Sequence, residues 1–360
     1  MFKPNALLAA AFILAVFESF AQTQVDWSGA MRVNYAWKDY DERNKDNGGD
    51  LDFELIRIGI DARQDDLGIS AQYRWYRDFH TVHHAYFYYN QDEETQWQLG
   101  LNQVPFGLLP YTSNSFWFGG AYYIGLEDDY DVGVKYRFAK DEWTYHLAWY
   151  SGSEYPGDNY DRYSFDVAIT DDSPYEEANN LVGRIAQKQK TASGSFEWGV
   201  SAQLGQILNT DTDEHETRYA FAVHADWVIN KWTIKGEFAQ YKFDIDNPII
   251  DFSAFQFEYP MASEARNYSL HFARHFAPKW RFADTVTCYQ ETSLIESRTQ
   301  DTESIQAVVG CNYAKGALYV YTDWIAGKNM WFSGGPGVAF ENPNDDRWRS
   351  RFNFNFGWYF

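Results

Sequence analysis

The chain ends in RFNFNFGWYF, residues 351–360, a stretch in which polar and aromatic residues alternate. Because side chains on a β-strand point to opposite faces with a period of two, this stretch has one face of Phe and Trp and another of Arg and Asn. A sandwich that buries the aromatic face would stabilise such a strand, and so would lipid on one side with water on the other. The rest of the sequence favours one of these environments.

The composition favours a membrane barrel. Aromatic residues make up 19% of the chain, yet the mean hydropathy is -0.54 and the formal net charge is -21. No segment beyond residue 21 has the ~18 uninterrupted apolar residues that a membrane helix requires. Abundant aromatic residues without an apolar block are typical of a transmembrane β-barrel, because lipid-facing and water-facing residues alternate along each strand.

Residues 1–21 have the layout of a secretory signal peptide. Lys3 precedes an apolar run over residues 6–17, and Ser19 and Ala21 are the small residues expected before a cleavage site. The run is shorter than the ~20 residues that cross a bilayer. We therefore predict a signal peptide over residues 1–21 and one barrel domain over residues 22–360.

Period-two segments recur along residues 22–360 without a linker, which indicates a single all-β domain. We predict sixteen strands, at residues 26–40, 51–64, 67–77, 81–91, 95–104, 130–139, 142–153, 175–190, 192–210, 217–230, 231–244, 267–278, 279–291, 303–315, 316–329 and 347–360. An even number of strands, several as long as the ~9 to 11 residues that cross a bilayer, is expected of an antiparallel outer-membrane barrel.

The connections between these strands alternate in length. Tight turns are predicted at residues 65–66, 92–94, 140–141, 190–191, 230–231, 278–279 and 315–316, whereas most other connections are long. Tight turns at one end and long loops at the other are typical of the periplasmic and extracellular ends of a barrel.

The acidity of the chain belongs to the long connections. These stretches contain 28 acidic and 5 basic residues, whereas the remainder contains 23 acidic and 25 basic residues. Two roles are open for this acidic rim: it binds divalent cations shared with anionic surface lipid, or it keeps the loops solvated.

The aromatic parity of each strand should face lipid, so the opposite parity identifies the lumen. This assigns ten basic residues to the pore wall: Arg32, Lys38, Arg57, Arg63, Arg74, Lys135, Arg137, Arg218, Arg349 and Arg351. The first, second, third and last strands become neighbours when the barrel closes, so their arginines are expected to form one basic patch. The alternative is that acids partner these cations, which then only hold the wall together.

The longest connection, residues 105–130, reads PFGLLPYTSNSFWFGGAYYIGLEDDY and contains no Lys or Arg. In a sixteen-stranded barrel, a loop of this kind can fold inward and narrow the bore; the alternative is a loop lying over the outside. Loop acids facing wall arginines would set a transverse field. The candidate constriction residues are Phe106, Tyr111, Trp117, Glu127, Asp128 and Asp129.

The signal peptide, the strand count, the long third external loop and the terminal aromatic strand together resemble a Gram-negative outer-membrane porin. The stretch LGLNQVPFG, residues 99–107, resembles the strand-to-loop junction of the phosphate-selective porin O and P type. Members selective for phosphate have basic groups in the constricting loop, and this loop has none. The resemblance therefore implies a porin but not phosphate selectivity.

The resemblance implies a passive outer-membrane channel for small hydrophilic solutes and a homotrimer. It also implies contact with outer-membrane lipid and lipopolysaccharide, and a terminal strand ending in Phe360 that the barrel-assembly machinery reads. The basic wall favours small anions. A carbohydrate channel stays open because aromatic rings stack on sugars, and a barrel hydrolase is a further alternative. We predict neither enzymatic activity nor a nucleic-acid partner.

We predict no cofactor and no metal site. His80, His83 and His84 are spaced like metal ligands, but they fit an incidental cluster at a strand connection better. The cysteines, Cys288 and Cys311, lie on consecutive strands with both side chains expected to face lipid. They would be opposed only if the loop between those strands is asymmetric, so a disulfide and two free apolar wall residues both stay open.

Overall fold

The computed structural model describes residues 23–155, 159–342, 345 and 347–360. The predicted signal peptide, residues 1–21, lies outside the described residues. The strands are β1 (Gln24–Lys38), β2 (Asp50–Gln64), β3 (Leu67–Tyr76), β4 (His80–Asn90), β5 (Thr95–Gln103), β6 (Tyr130–Lys140), β7 (Trp143–Ser153), β8 (Asp166–Val167), β9 (Tyr175–Thr191), β10 (Gly194–Asn209), β11 (Glu214–Ile229), β12 (Trp232–Phe243), β13 (Ile249–Ala254), β14 (Phe257–Ala262), β15 (Glu264–Phe276), β16 (Thr285–Ser297), β17 (Glu303–Lys315), β18 (Leu318–Lys328) and β19 (Trp348–Tyr359). A short helix, α1 (Glu42–Asp46), lies between β1 and β2, and two 3-10 turns cover Tyr122–Ile124 and Trp331–Ser333.

Sixteen of the described strands close into one antiparallel barrel. Its members are β1–β7, β9–β12 and β15–β19, and each is hydrogen-bonded to its neighbours in chain order. The predicted fold class, an antiparallel barrel of about 16 strands, is therefore confirmed. Among the described residues, no helix combines the length and apolar character needed to cross a membrane.

The barrel closes where the last strand meets the first. β1 pairs with β19 from Ala30 opposite Tyr359 to Lys38 opposite Arg351. Phe360 extends this ladder by exchanging two backbone hydrogen bonds with Gly29, at 2.8 and 3.0 Å. The terminal residue is therefore part of the seam, and its side chain is 71% exposed on the outer surface.

The alternation along the strands separates an apolar outer surface from a polar interior. On β19, Phe354, Phe356 and Trp358 are exposed, whereas Asn353 and Asn355 are completely buried. The same alternation holds on β1, where Trp27 and Met31 point outward and Arg32 points inward. An aqueous bore inside and lipid outside satisfy this arrangement on both strands.

Short and long connections sort to opposite ends of the barrel. The four long connections that matter for the interior are L3 (residues 104–129), L4 (154–174), L6 (244–263) and L8 (329–347). β8 in L4 pairs with β13 in L6, and β13 pairs with β14, so the two loops form a small three-stranded sheet. Val338 in L8 bridges to Met261 in the same sheet.

One predicted strand is displaced in the structure. The strand expected at residues 279–291 runs instead from Thr285 to Ser297, and the tight turn expected at residues 278–279 is a connection over residues 277–284. Trp280 and Phe282 mimic strand alternation, but they are exposed and pack on each other within this connection. Aromatic periodicity alone does not distinguish an interfacial turn from the strand that follows it.

This displacement brings the two cysteines together. In the β16–β17 register Cys288 lies directly opposite Cys311, and the two form a disulfide with a Cα–Cα distance of 4.0 Å. Both residues share the outward parity of their strands. The loop joining these strands covers only residues 298–302. Glu291, expected at the end of a strand, lies in the middle of β16 and points into the barrel.

Candidate pore and constriction site

L3 crosses the interior of the barrel. Four of its hydrogen bonds are made to inward side chains of distant strands: Gly107 N to Ser201 Oγ on β10, Leu108 N to Glu237 on β12, Gly120 N to Ser293 Oγ on β16, and Phe118 O from Gln306 Nε2 on β17. β16 is halfway around the barrel from β5, where the loop begins. The loop therefore lies inside the bore rather than over its outer surface.

Glu291 is the main anchor at the far wall. Its Oε2 accepts a hydrogen bond from Ser113 Oγ at 2.7 Å, and its Oε1 accepts from Ser115 N at 3.2 Å. Asn114 donates to the same Oε1 through its backbone N and its side chain. His271 Nδ1 lies 3.5 Å from this oxygen. One carboxylate therefore holds three consecutive loop residues, with hydrogen bonds strengthened by its charge.

Gly107 shows why the start of L3 needs glycine. Its φ is +62°, a conformation that other residues rarely adopt, and a Cβ at this position would collide with the Glu237 carboxylate. Its carbonyl accepts a hydrogen bond from Arg184 Nε at 2.7 Å. The loop thus enters the lumen against the wall between β9 and β12.

The other loops pack on L3 and fill one side of the lumen. Tyr122 packs edge-on against Phe165 of L4, with ring centroids 4.8 Å apart, and Tyr123 stacks on Phe332 of L8 at 4.0 Å. Tyr259 of L6 donates its hydroxyl to Tyr123 O at 2.7 Å. These residues belong to a buried apolar cluster, which keeps L3 in place and leaves the open space on the opposite side.

The open space is a cavity of about 840 Å³ between the loops and the wall formed by β1, β2, β3, β18 and β19. Five of the ten predicted pore cations line it: Arg32, Lys38, Arg57, Arg74 and Arg351. Rings from L3, L4, L6 and L8 also line it: Tyr111, Phe116, Trp117, Phe118, Tyr122, Tyr123, Tyr163, Phe165, Phe255, Phe257, Trp331 and Phe332. The cavity therefore has a basic wall and an aromatic face.

Acids and rings partner part of the basic wall. Arg32 forms an ion pair with Glu54 at 2.7 Å. Glu54 sits at a register shift between β1 and β2, so strand parity alone did not place it in the lumen. The Arg351 guanidinium lies over the Trp117 ring at 4.1 Å, which links the wall to the centre of L3.

Two more arginines contact rings rather than carboxylates. The Arg74 guanidinium lies over Tyr163 at 4.3 Å, and that of Arg57 lies over Tyr359 at 5.2 Å. A guanidinium on an aromatic ring keeps its full charge, so both residues still contribute a positive potential to the cavity.

Asp128 alone of the three predicted constriction acids lines the cavity. It accepts hydrogen bonds from the Tyr163 hydroxyl at 2.6 Å and the Tyr130 hydroxyl at 3.1 Å. Burial raises the pKa of Asp128 to about 6, although the Tyr163 hydroxyl and nearby Arg74 favour its charged form. Asp128 therefore lines the cavity next to Tyr163, close enough to Arg74 for an electrostatic interaction.

The other two acids lie away from the cavity. Glu127 accepts a hydrogen bond from Thr112 Oγ1 at 2.5 Å, and burial together with the nearby Glu237 raises its pKa to about 7. Burial and the neighbouring Asp166 raise the pKa of Asp129 well above its usual range. Of the three acids expected to set a transverse field, Asp128 is the one placed to contribute to it in the cavity.

The remaining predicted site residues occupy other parts of the interior. Phe106 is buried in the loop cluster rather than exposed to the cavity. Arg63 donates a hydrogen bond to Asp65 O near the short-turn end, and Lys135 Nζ donates one to Gln103 O. Arg137 lies on the inward face of β6. Arg218 forms an ion pair with Glu177, and Arg349 forms one with Asp345. Arg218 and Arg349 therefore fit the alternative given above, in which acids partner the cations and hold the wall together.

The aromatic face was not expected from strand parity. Its rings on L4, L6 and L8 lie far apart in the sequence and meet only through tertiary packing. The one sequence signal for this face was the high aromatic content of the long acidic loops. Loops do not face lipid, so their rings must pack on other parts of the protein.

No protein-family model matches the sequence, and no curated protein matches it. Solved structures do match its fold. The outer membrane channel DcaP of Acinetobacter baumannii has a TM-score of 0.61 and 12% identity, covering 94% of this chain and 98% of that chain. The anion-selective porin from Comamonas acidovorans has a TM-score of 0.60 and 13% identity, covering 94% and 100%.

The trimer form of OmpT, an outer membrane protein of Vibrio cholerae, has a TM-score of 0.59 and 14% identity, covering 94% of this chain and 99% of that chain. At these identities the similarity shows the fold alone, and it does not single out the phosphate-selective type. The chain therefore has the sixteen-stranded barrel fold of outer-membrane porins.

Proposed function

We propose that this chain is a passive outer-membrane porin for small hydrophilic solutes, and that its pore favours small anions. The observation that carries this proposal is the cavity beside L3, where five cations meet two lining carboxylates, Glu54 and Asp128. At short range these charges act on a solute directly. Acids at the rim that lie more than a Debye length away, about 8 Å at physiological salt, are screened.

The net charge of -21 does not contradict an anion preference. Much of that charge belongs to the long connections, whereas the cavity lining carries a formal charge of +3 if every lining Arg, Lys, Asp and Glu is ionised. Because Asp128 lies against Tyr163 and Arg74, its field is partly compensated where it faces the solute. The potential in the bore is therefore positive in our proposal.

The aromatic face favours a second candidate, a channel for carbohydrates. Exposed rings such as Tyr111 and Phe257 offer flat surfaces on which a pyranose can stack, while arginines supply donors for hydroxyl groups. This candidate differs from the first in predicting that an uncharged sugar enters as readily as an anionic one.

Liposome swelling separates the two candidates. Proteoliposomes would be tested with glucose and glucuronate, which share a ring and differ by one carboxylate, together with succinate and phosphate. Faster entry of glucuronate than glucose supports the anion-favouring porin. Entry of glucose at an equal or faster rate supports the carbohydrate channel, and no entry above protein-free liposomes contradicts both.

The setting of the protein follows from the same proposal. We place it in the outer membrane of a Gram-negative bacterium, in contact with lipid and lipopolysaccharide, after assembly by the barrel-assembly machinery. A homotrimer is supported by the similarity to the trimer form of OmpT. Native mass spectrometry of detergent-solubilised protein gives the oligomeric state, and a monomer as the only species contradicts the trimer.

We also propose that the protein is not an enzyme. Ser113, His271 and Glu291 lie together, which superficially resembles a hydrolase triad. However, Ser113 donates its hydroxyl to the carboxylate, and neither nitrogen of His271 is hydrogen-bonded among the described residues, so the serine-to-histidine contact of a triad is not made. Lipase or protease activity of the purified protein that Ser113→Ala abolishes would contradict this assignment.

A further inference from the structure

Three aspartates meet where L3 ends and L4 approaches the wall. They are Asp129 at the end of L3, Asp131 at the start of β6 and Asp166 in β8 of L4. Each offers a carboxylate oxygen, and these three oxygens lie within 4.8 Å of one another. Their side chains are buried, with 7%, 0% and 1% of each residue exposed.

The carboxylate of Asp131 has no protein partner for either oxygen. Among the described residues, neither Oδ1 nor Oδ2 of Asp131 is hydrogen-bonded, and Asp129 Oδ1 and Asp166 Oδ2 are also without hydrogen-bond donors. Buried polar groups in native proteins are almost always satisfied, because an unpaired buried charge is costly. A completely buried carboxylate aimed at two others therefore indicates a ligand between them.

The surroundings do not neutralise this cluster. Two further buried acids lie nearby: Glu177 interacts electrostatically with all three aspartates, and Glu154 interacts with Asp166. Among the described residues, the cations that interact with these acids are Arg218, which is paired with Glu177, and Arg162, whose NH1 lies 3.8 Å from Asp166 Oδ2. If all five carboxylates are ionised, they exceed the two guanidiniums by three charges, an excess that a divalent cation would reduce to one.

We propose that Asp129, Asp131 and Asp166 bind one Ca²⁺ ion. Ca²⁺ takes oxygen ligands at about 2.3 to 2.6 Å, so oxygens on opposite sides of the ion are about 4.6 to 5.2 Å apart, which accommodates this cluster as it stands. Mg²⁺ requires about 2.1 Å and strict octahedral geometry, and Zn²⁺ prefers nitrogen and sulfur ligands. The remaining Ca²⁺ positions are available to water.

Such an ion would join three parts of the chain that define the constriction. Asp129 ends L3, Asp131 belongs to the barrel wall, and Asp166 belongs to the sheet that L4 forms with L6. Binding would hold the end of L3, including neighbouring Asp128, against the wall. The calcium proposal does not depend on which solute passes. A test that fails for calcium therefore leaves the proposed channel function unaffected.

The test measures bound calcium and thermal stability on the full barrel, refolded in detergent without lipopolysaccharide so that lipid-bound calcium does not contribute. Chelator-stripped protein is equilibrated with ⁴⁵Ca²⁺ up to about 1 mM, which covers the affinities of extracellular calcium modules. Asp131→Asn removes the charge at nearly constant size. Asp172→Asn, an exposed acid of the same loop, is the matched control.

We expect the wild type and Asp172→Asn to bind one more Ca²⁺ per chain than Asp131→Asn. Calcium should raise their unfolding temperature by a few degrees and leave that of Asp131→Asn unchanged. With chelator present, Asp131→Asn should be at least as stable as the wild type, because it removes an uncompensated buried charge.

Equal calcium binding by the wild type and Asp131→Asn would overturn the proposal. It would be overturned equally if calcium failed to stabilise the wild type, a result that would mean the carboxylates share protons instead. If Asp131→Asn does not fold, the wild-type measurements and the second variant Asp166→Asn decide in the same way.

Discussion

Arg57 offers the clearest test of how the basic wall acts on a passing ion. It lines the cavity, lies over the ring of Tyr359, and makes no ion pair among the described residues. Its removal therefore does not leave a carboxylate unpaired. Arg57→Gln and Arg57→Glu should change the charge of the lining by one and two units with little effect on folding.

The size of the effect follows from the cavity. A sphere of 840 Å³ has a radius of about 6 Å, so an ion at its centre lies about 7 Å from a guanidinium on the wall. One unit charge at that distance contributes about 0.6 kcal/mol in water, or about 0.25 kcal/mol after screening at physiological salt. Because chloride loses what potassium gains, the permeability ratio of chloride to potassium should fall about twofold in Arg57→Gln and about fivefold in Arg57→Glu.

The assay is the zero-current potential of the reconstituted variants in a planar bilayer under a KCl gradient. Arg63 is the matched control, because it lies on the same strand with the same inward parity but near the short-turn end. Six residues of strand separate the two positions by about 20 Å, more than two Debye lengths. Arg63→Glu should therefore leave the ratio almost unchanged.

Two results would refute this reasoning. An unchanged ratio in Arg57→Glu would mean that ions do not pass beside the basic wall. Equal shifts in Arg57→Glu and Arg63→Glu would mean that the overall charge of the barrel, and not the cavity, sets selectivity.

The remaining predictions concern assembly and stability. Deleting Phe360 removes two backbone hydrogen bonds to the first strand and the terminal ring, so outer-membrane levels of the heat-modifiable barrel should fall; normal levels would contradict a role in assembly. The Cys288–Cys311 disulfide should leave no reactive thiol in the denatured, unreduced protein, and its loss should cost about 3 kcal/mol by loop entropy; two thiols per chain would contradict the bond. Glu291→Gln should weaken the L3 anchor by about 1 to 3 kcal/mol and increase current noise in single-channel records, whereas Glu296→Gln on the same strand should not; equally quiet channels would contradict the anchor.

The barrel wall was readable from the sequence because a strand repeats every two residues and each face meets one solvent. That rule placed Arg32 and Arg57 in the lumen and Phe356 on the outer surface, as the structure has them. It is a local rule, so it needs no knowledge of distant contacts. It failed at residues 279–291, where rings in a turn continued the alternation.

The interior arrangement of the loops was not readable in the same way. Asp128 faces the cavity, whereas Glu127 and Asp129 do not. This difference depends on contacts with L4 and with distant wall strands. Those contacts join residues far apart in the chain and follow no period. For the same reason, acids that looked like a solvated rim, such as Asp166, are buried in the structure.

The most direct test of the central claim is the zero-current potential of the wild-type chain in a planar bilayer, recorded across a KCl gradient at physiological ionic strength. The basic wall beside L3 predicts open channels whose potential has the sign of chloride preference, despite a net charge of -21. A potential with the sign of potassium preference, or a reconstituted barrel that conducts no current, would contradict it.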